Sequence, residues 1–108
     1  MTARLTTVLG AVPTAEQLAY GVANAADDNA DLTEGAMTAR LGVVLGAAPT
    51  AEQLAYGVAH PADNNNDLKR GAMVARLTQL LGKAPTKKQV TKSLGHSAAS
   101  NVDLQAAI

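Results

Sequence analysis

The chain has no cysteine, no tryptophan and no phenylalanine, and its only aromatic residues are two tyrosines. Without cysteine it can form neither disulfides nor thiolate metal sites, and it has no thiol nucleophile. Long apolar stretches are also missing. None approaches the roughly 18 residues that span a bilayer, and the first residues, MTARLTTVLG, lack the apolar block of a signal peptide. We expect no membrane span, and a chain that is cytoplasmic, exported without an N-terminal signal, or part of a longer protein.

An excess of charge of one sign is lacking as well, because nine basic residues balance nine acidic ones. The chain as a whole therefore shows no electrostatic footprint for nucleic acid, and we predict no nucleic-acid partner. Apolar residues make up 47% of the chain and are mostly Ala, Leu and Val. Since such small side chains bury little area each, a core built from them requires close contact between helices.

What the sequence does contain is repetition. The stretch GAVPTAEQLAYGV at Gly10–Val22 returns with one change at Gly46–Val58, and an altered version, GKAPTKKQVTKSL, occupies Gly82–Leu94. The spacing is 36 residues each time, which divides the 108 residues into three copies, 1–36, 37–72 and 73–108. The first two copies agree at most positions, whereas the third matches the second at fewer than half.

The repeated stretch predicts a helix end, a bend and a new helix. Gly46 is suited to a left-handed helix cap, and Pro49 prevents the helix from continuing. Thr50 and Gln53 have the spacing of a capping box, so a short second helix is expected to begin there. It is expected to fade near Ala59, because the residue before a proline disfavours helical geometry.

A longer helix is predicted before this bend. Its apolar residues fall on one face of a 3.6-residue period; they are Leu32, Ala36, Met37, Leu41, Val44 and Leu45. Asp31 and Asp67 are the expected N-caps, and Asp31 forms a capping-box-like pair with Glu34. Gly35 and Gly42 each weaken the helix by about 1 kcal/mol relative to alanine. Their presence predicts that another helix passes close to both.

These signals together predict an all-α fold. We expect one domain, 1–108, of three tandem 36-residue helix–turn–helix repeats stacked as an α-solenoid or toroid-like bundle. Helical hairpins are expected at roughly 32–59 and 68–95, with half of a long helix at each end of the chain. The period is close to the 34 residues of tetratricopeptide repeats, but the Trp, Tyr and Phe positions of that motif are missing.

Candidate chemistry is sparse. The loops contain Asp27-x-Asn29-x-Asp31 and Asp63-x-Asn65-x-Asp67, which resemble the first half of a calcium-binding loop, but the later Gly and Glu ligand positions are absent. A solvated loop ending in a helix cap is the favoured interpretation. His60 and His96 occupy equivalent loop positions and are interpreted as polar loop residues. With no catalytic constellation present, we predict no enzyme activity, no cofactor and no metal.

An interaction surface is the remaining candidate site. Tyr20 and Tyr56 lie off the apolar stripe of the short helix, and Lys92 replaces them in the third copy. A position that accepts either Tyr or Lys is expected to be at least half exposed. Tyrosines in register on successive copies could stack on a sugar or on a partner chain, although a tyrosine lying along the neighbouring unit is the favoured interpretation. Together with Lys87 and Lys88, these three residues form the candidate surface.

Charge is distributed unevenly among the three copies. The first carries a net charge of −4, the second 0 and the third +4. The third copy owes its charge to five basic residues, namely Arg76, Lys83, Lys87, Lys88 and Lys92, against one acidic residue, Asp103. If the copies stack in order, one end of the molecule is acidic and the other basic, which favours head-to-tail association.

The pattern Gly-x-x-Pro-Thr-Ala-x-x-Leu-x-Tyr-x-Val, followed by Asn-x-Asp-Leu, resembles the helical repeats near the N-terminus of bacterial S-layer and RTX-type surface proteins. It covers Gly10–Leu32 and Gly46–Leu68, and the third copy retains part of it without the aromatic residue. This resemblance implies a structural or attachment module at the cell surface, secreted without an N-terminal signal and in contact with surface polysaccharide.

Function is predicted at the level of class only. The first choice is a non-enzymatic helical repeat module for assembly or attachment, whose partner is a second copy, another protein or a surface polysaccharide. The alternatives are an intracellular solenoid that binds a peptide, and an engineered repeat protein with no natural ligand. The regular 36-residue spacing favours the engineered alternative, whereas the divergence of the third copy argues against it.

Overall fold

The structure, a computed structural model, describes residues 1–108 and consists of seven α-helices without strands. The prediction of an all-α fold is confirmed. The helices are α1 (Thr2–Leu9), α2 (Ala15–Ala23), α3 (Asn29–Leu45), α4 (Ala51–Ala59), α5 (Asn65–Leu81), α6 (Lys87–Leu94) and α7 (Asn101–Ala107). The molecule is elongated and measures 41 × 21 × 21 Å.

The bends between helices form as the sequence predicts. Gly46 ends α3 with a φ of 75°, a left-handed conformation that glycine adopts without steric cost. Thr50 then caps α4: its hydroxyl accepts the Gln53 backbone N–H at 3.2 Å, and the Gln53 side chain accepts the Thr50 N–H at 2.9 Å. The same cap and box recur before α2 and α6, and α4 ends at Ala59 as expected.

The predicted N-caps of the long helices are wrong by one turn. Asp28 caps α3 by accepting the Asp31 backbone N–H at 2.8 Å, and Asn64 caps α5 by accepting that of Asp67 at 2.8 Å. Because each of these earlier residues is itself a good cap, the helix gains an extra turn of backbone hydrogen bonds. Asp31 and Asp67 therefore lie inside the first turn, where a carboxylate is favoured by the helix dipole.

The short helices pack between long ones. Helix α4 contacts α3 on one side and, more extensively, α5 on the other, and α2 packs mainly against α3. Glycines permit both contacts of α4. A Cβ at Gly57 would lie 2.8 Å from Met37 Cγ of α3, and a Cβ at Gly71 of α5 would overlap the ring of Tyr56. The close helix contacts expected of a core poor in aromatic residues thus depend on glycine.

The core is divided into three clusters rather than one. The central cluster joins α3 to α5 and consists of Met37, Leu41, Leu45, Leu68 and Ala72. A cluster of Leu5, Leu9, Leu32 and Ala36 joins α1 to α3, and one of Met73, Leu77, Val90 and Leu104 joins α5 to α6 and α7. Each cluster therefore packs helices against those nearest to them in the chain.

Candidate interaction surface

Each loop that follows α2, α4 or α6 is held by an arginine from the helix before that one, namely α1, α3 or α5. Arg40, which is only 6% exposed, donates to the carbonyl oxygens of Pro61 at 3.1 Å and Asp63 at 2.6 Å. It also donates to Asn65 Oδ1 at 3.0 Å. Arg4 and Arg76 bind their own loops at the same sequence offsets. We call each set of three oxygens an arginine cage.

The arginine cage uses oxygens that a calcium ion would require. Asn65 Oδ1 is bound by Arg40, and Asp63 Oδ2 accepts the Tyr56 hydroxyl at 3.2 Å. The Arg40 guanidinium already supplies positive charge to the Asn65 oxygen and to the Asp63 carbonyl, and it would repel a second cation there. No group of three or more His, Cys, Asp or Glu side chains comes together as metal ligands elsewhere. The loop is thus built around an arginine.

The two tyrosines are less exposed than expected. Tyr20 and Tyr56 are partly buried, and each ring lies over a glycine of the following long helix, Gly35 or Gly71. Burial raises the pKa of both hydroxyls, and the neighbouring carboxylates, Asp27 for Tyr20 and Asp63 for Tyr56, raise it further. The expectation that both are at least half exposed was wrong, because it did not include the space that the glycines provide.

His60 extends the aromatic contact of Tyr56. The two rings stack with centroids 3.9 Å apart and an interplanar angle of 16°. His60 Nδ1 lies 2.8 Å from the Tyr56 carbonyl oxygen, the position that Asn24 Nδ2 takes on Tyr20. His60 therefore covers one face of the Tyr56 ring and is also the C-cap residue of α4.

Three residues of the tyrosine contact change together in the third copy. Lys92 stands where the earlier copies have tyrosine, Ala99 where they have the aspartate that binds it, and Ala107 where they have the glycine beneath it. A glycine is needed only where a ring must be accommodated, and an aspartate only where a hydroxyl donates. The set therefore behaves as one contact, which the third copy lacks.

Losing the tyrosine leaves a groove with a different character. The basic groove, of about 740 Å³, lies between α5 and α6 and is lined by Arg70, Lys87, Lys88, Thr91 and Lys92. None of its lining residues is acidic or apolar. Its charged residues are exposed, so an anionic partner can reach all four.

One copy earlier, the corresponding groove lies between α3 and α4 and is mainly apolar. This apolar groove, of about 600 Å³, is lined by Ala30, Thr33, Glu34, Ala51, Leu54, Ala55 and Val58. Glu34 and Ala51 correspond to Arg70 and Lys87 in the basic groove. Equivalent positions of the repeat thus form an apolar groove with one acidic residue between α3 and α4, and a strongly basic groove between α5 and α6.

Of the predicted surface residues, the structure brings Lys87, Lys88 and Lys92 together and places the tyrosines in helix contacts. Arg70 completes the basic groove and was not predicted. The sequence does show that Arg70 occupies the position that Glu34 has one repeat earlier. The arginines of the cages were also missed. Their signal was the constant separation of 25 residues from Asn29, Asn65 and Asn101.

Comparison of the chain with protein-family models, with curated proteins and with solved structures finds no significant match. None of the seven helices has the length and apolar character needed to cross a membrane.

Proposed function

We propose that the chain is a non-enzymatic helical repeat module, a short α-solenoid of three 36-residue units, and that it functions by assembly. The recurrence of the arginine cage at every 36-residue step supports this organisation. So does the division of the core into three clusters, because each cluster is drawn from one 36-residue copy, as expected of repeated units.

The separation of charge carries the proposal of self-association. The acidic residues of the first copy and the basic residues of the third belong to opposite ends of the sequence, in a molecule 41 Å long. That length is several times the Debye length of about 8 Å at physiological salt, so the two ends of one molecule hardly attract each other. Opposite ends of two molecules do attract, which favours head-to-tail contact.

Sedimentation velocity of the 108-residue chain tests this proposal. We expect association at high protein concentration and low salt, and dissociation as salt screens the charges. The matched control is the double variant Lys87→Ala with Lys88→Glu, which gives α6 the residues that α4 has at these positions. This variant is expected to associate more weakly. A wild-type chain that stays monomeric at every concentration and salt would refute the proposal.

The basic groove favours a second candidate function, the binding of an acidic peptide. Four cations around one groove, with no lining carboxylate, suit a partner with several Asp or Glu residues. Titration with a fluorescent oligo-glutamate peptide tests this, with an oligo-lysine peptide as the control. Binding of the acidic peptide by a chain that remains monomeric would favour this function over self-assembly.

The resemblance to repeats of bacterial surface proteins supports a place for such a module at the cell surface, where it would attach to polysaccharide. Co-sedimentation of the chain with purified cell-wall polysaccharide tests this extension. Retention that persists in the double variant Lys87→Ala with Lys88→Glu would separate attachment from charge-driven assembly. Failure to bind any polysaccharide would leave assembly alone.

A further inference from the structure

The start of α3 carries an acidic ridge, which we define as Asp28, Asp31 and Glu34. All three residues are exposed, and they follow one another at three-residue intervals. Residues three apart on a helix are neighbours on its surface, so the three carboxylates form one negative strip. At the corresponding positions α5 has an asparagine, an aspartate and an arginine, and α7 has a single aspartate. The acidic ridge is therefore found on α3 alone.

Local helix chemistry accounts for only two of these three carboxylates. Asp28 caps α3, and Asp31 lies in its first turn, where the helix dipole favours an anion. Glu34 lies beyond that turn, and α5 has Arg70 at the same position of the repeat. The fold itself therefore requires no negative charge at Glu34, because the equivalent helix forms with a cation there.

The basic groove is complementary to the acidic ridge in charge and in spacing. It carries four exposed cations, and no carboxylate lines it. Lys88 and Lys92 are neighbours one turn apart on α6, about 6 Å along its axis. Asp31 and Glu34 are about 4.5 Å apart along the axis of α3. Opposite charges thus recur at comparable intervals on the two surfaces.

We infer that the basic groove of one copy receives the acidic ridge of a second copy of this chain, with Glu34 beside Arg70 and the lysines of α6. This inference rests on the proposed self-association and names its contact. The contact joins two different surfaces, so each pair of copies keeps one free ridge and one free groove for further copies. Such a heterologous contact agrees with head-to-tail assembly.

The grooves of the chain differ in their suitability for this partner. The apolar groove has Glu34 in its own wall, so a second acidic ridge would meet a like charge there. In the basic groove three carboxylates face four cations. A single exposed ion pair contributes little, so the attraction comes from the whole set. Since all these groups are exposed, we expect the contact to weaken steeply with salt.

Two single variants separate this contact from the effect of charge in general. Glu34→Arg gives α3 the residue that α5 has, and it is expected to weaken association at least about tenfold, because like charges then meet. The matched control is Glu16→Lys, which reverses a charge of the first copy on α2, outside the ridge, and gives α2 the residue that α6 has at Lys88. It is expected to weaken association no more than about threefold.

Sedimentation velocity measures both variants, and circular dichroism checks that they fold. Cross-linking with a carbodiimide then locates the contact, because this reagent joins a carboxylate directly to a lysine amine. An equimolar mixture of unlabelled and isotope-labelled wild-type chains identifies links between copies by mass. We expect these links to join the acidic ridge to Lys87, Lys88 or Lys92.

The outcomes distinguish the contact from the proposed function. If wild type associates but its links between copies avoid the ridge or lead to Lys69 or Lys83, the named contact is wrong although self-association stands. Equal weakening by the two variants has the same meaning. A wild-type chain that stays monomeric overturns both the contact and self-association, and its binding of the oligo-glutamate peptide would assign the groove to an acidic peptide.

Discussion

Arg40 and Arg76 are buried charges that make no hydrogen bond to a carboxylate. Both are 6% exposed, and burial lowers the pKa of both guanidinium groups. The main stabilising partners are carbonyl dipoles and an asparagine oxygen, which fit the fork of donors that arginine presents. Because the guanidinium joins one long helix to the start of the next, it fixes the relative position of those two helices.

Replacing Arg40 by glutamine is expected to lower the free energy of unfolding by about 3 kcal/mol, because the carbonyl oxygens of the cage lose their donor. The matched control is Arg4→Gln. Arg4 makes the same bonds but is more exposed, so water can replace it and a loss of about 1 kcal/mol is expected. Urea denaturation followed by circular dichroism measures both. Equal losses would contradict the role of burial.

Gly35 and Gly42 separate two roles of glycine within one helix. A Cβ at Gly35 would overlap the Tyr20 ring, whereas nothing lies within 4 Å of a Cβ at Gly42. Gly35→Ala is expected to destabilise the fold by about 1–3 kcal/mol through overpacking. Gly42→Ala is expected to stabilise it by about 0.5–1 kcal/mol through helix propensity. Thermal denaturation should shift in opposite directions, and a shift in the same direction would be inconsistent with the Tyr20 contact.

The neighbours of these two glycines could be predicted from the sequence only in part. Both were predicted to mark a close helix approach, which is confirmed for Gly35 and wrong for Gly42. Helix propensity shows that a glycine is unfavourable in a helix but not what lies beside it. The neighbour of Gly35 is Tyr20, 15 residues earlier on another helix, whereas Gly42 has no neighbour within 4 Å. The same limit displaced the N-caps, because Asp28 and Asp31 are equally good caps by local chemistry.

At the scale of the element, α6 is the helix that departs most from its counterparts. It begins with Lys87 and Lys88, whereas α4 begins with Ala51 and Glu52. Cations in the first turn of a helix oppose its dipole. The third copy therefore places positive charge where helix stability disfavours it, and the same lysines line the basic groove.

The double variant Lys87→Ala with Lys88→Glu is expected to stabilise the chain by about 1 kcal/mol, because it removes two unfavourable charges from the helix start. Its association at low salt should weaken at the same time. Denaturation and sedimentation on the same sample measure the two effects. Lys83→Ala is the control, since Lys83 precedes the helix and should change stability little. A less stable double variant would show that the lysines hold α6 in place.

The bends from each long helix to the short helix after it were the best predicted, because glycine caps, prolines and the Thr-x-x-Gln boxes act within a few residues of one another. The basic groove was predicted only in part. Lys87, Lys88 and Lys92 share one short helix and could be found from its pattern. Arg70 lies on α5, and its arrival beside them depends on how two helices pack.

For the whole molecule, the two partly buried tyrosines make stability sensitive to alkaline pH. Their pKa values are raised in the folded state, so the native chain holds these protons more tightly than the unfolded chain. This contribution is complete below the ordinary pKa of about 10. It is lost as pH rises through the higher native values. The unfolding free energy should therefore fall above about pH 10.

Tyrosinate absorbance and denaturation midpoints across this range measure the effect, and the chain has no tryptophan to interfere. The control is the double variant Tyr20→Phe with Tyr56→Phe, which should lose stability less steeply with pH while its lysines titrate as before. If both chains respond to pH alike, the tyrosines do not carry the effect.

The all-helical class of the whole molecule followed from the sequence, because periodicity and caps recur throughout. The contacts between helices within each copy did not follow, since they join residues 21 to 25 positions apart, mostly through backbone atoms that no side-chain pattern reveals. The arginine cages are the main example: their two carbonyl acceptors have no sequence signature, and only the asparagine does.

Because the arginine binds main-chain carbonyl oxygens, the loop positions that supply them tolerate sequence change. The acceptor is Ala25, Pro61 or Ser97 at equivalent positions of the three loops. The connecting loops can therefore accumulate substitutions, or receive grafted recognition sequences, while the framework beneath them keeps its geometry.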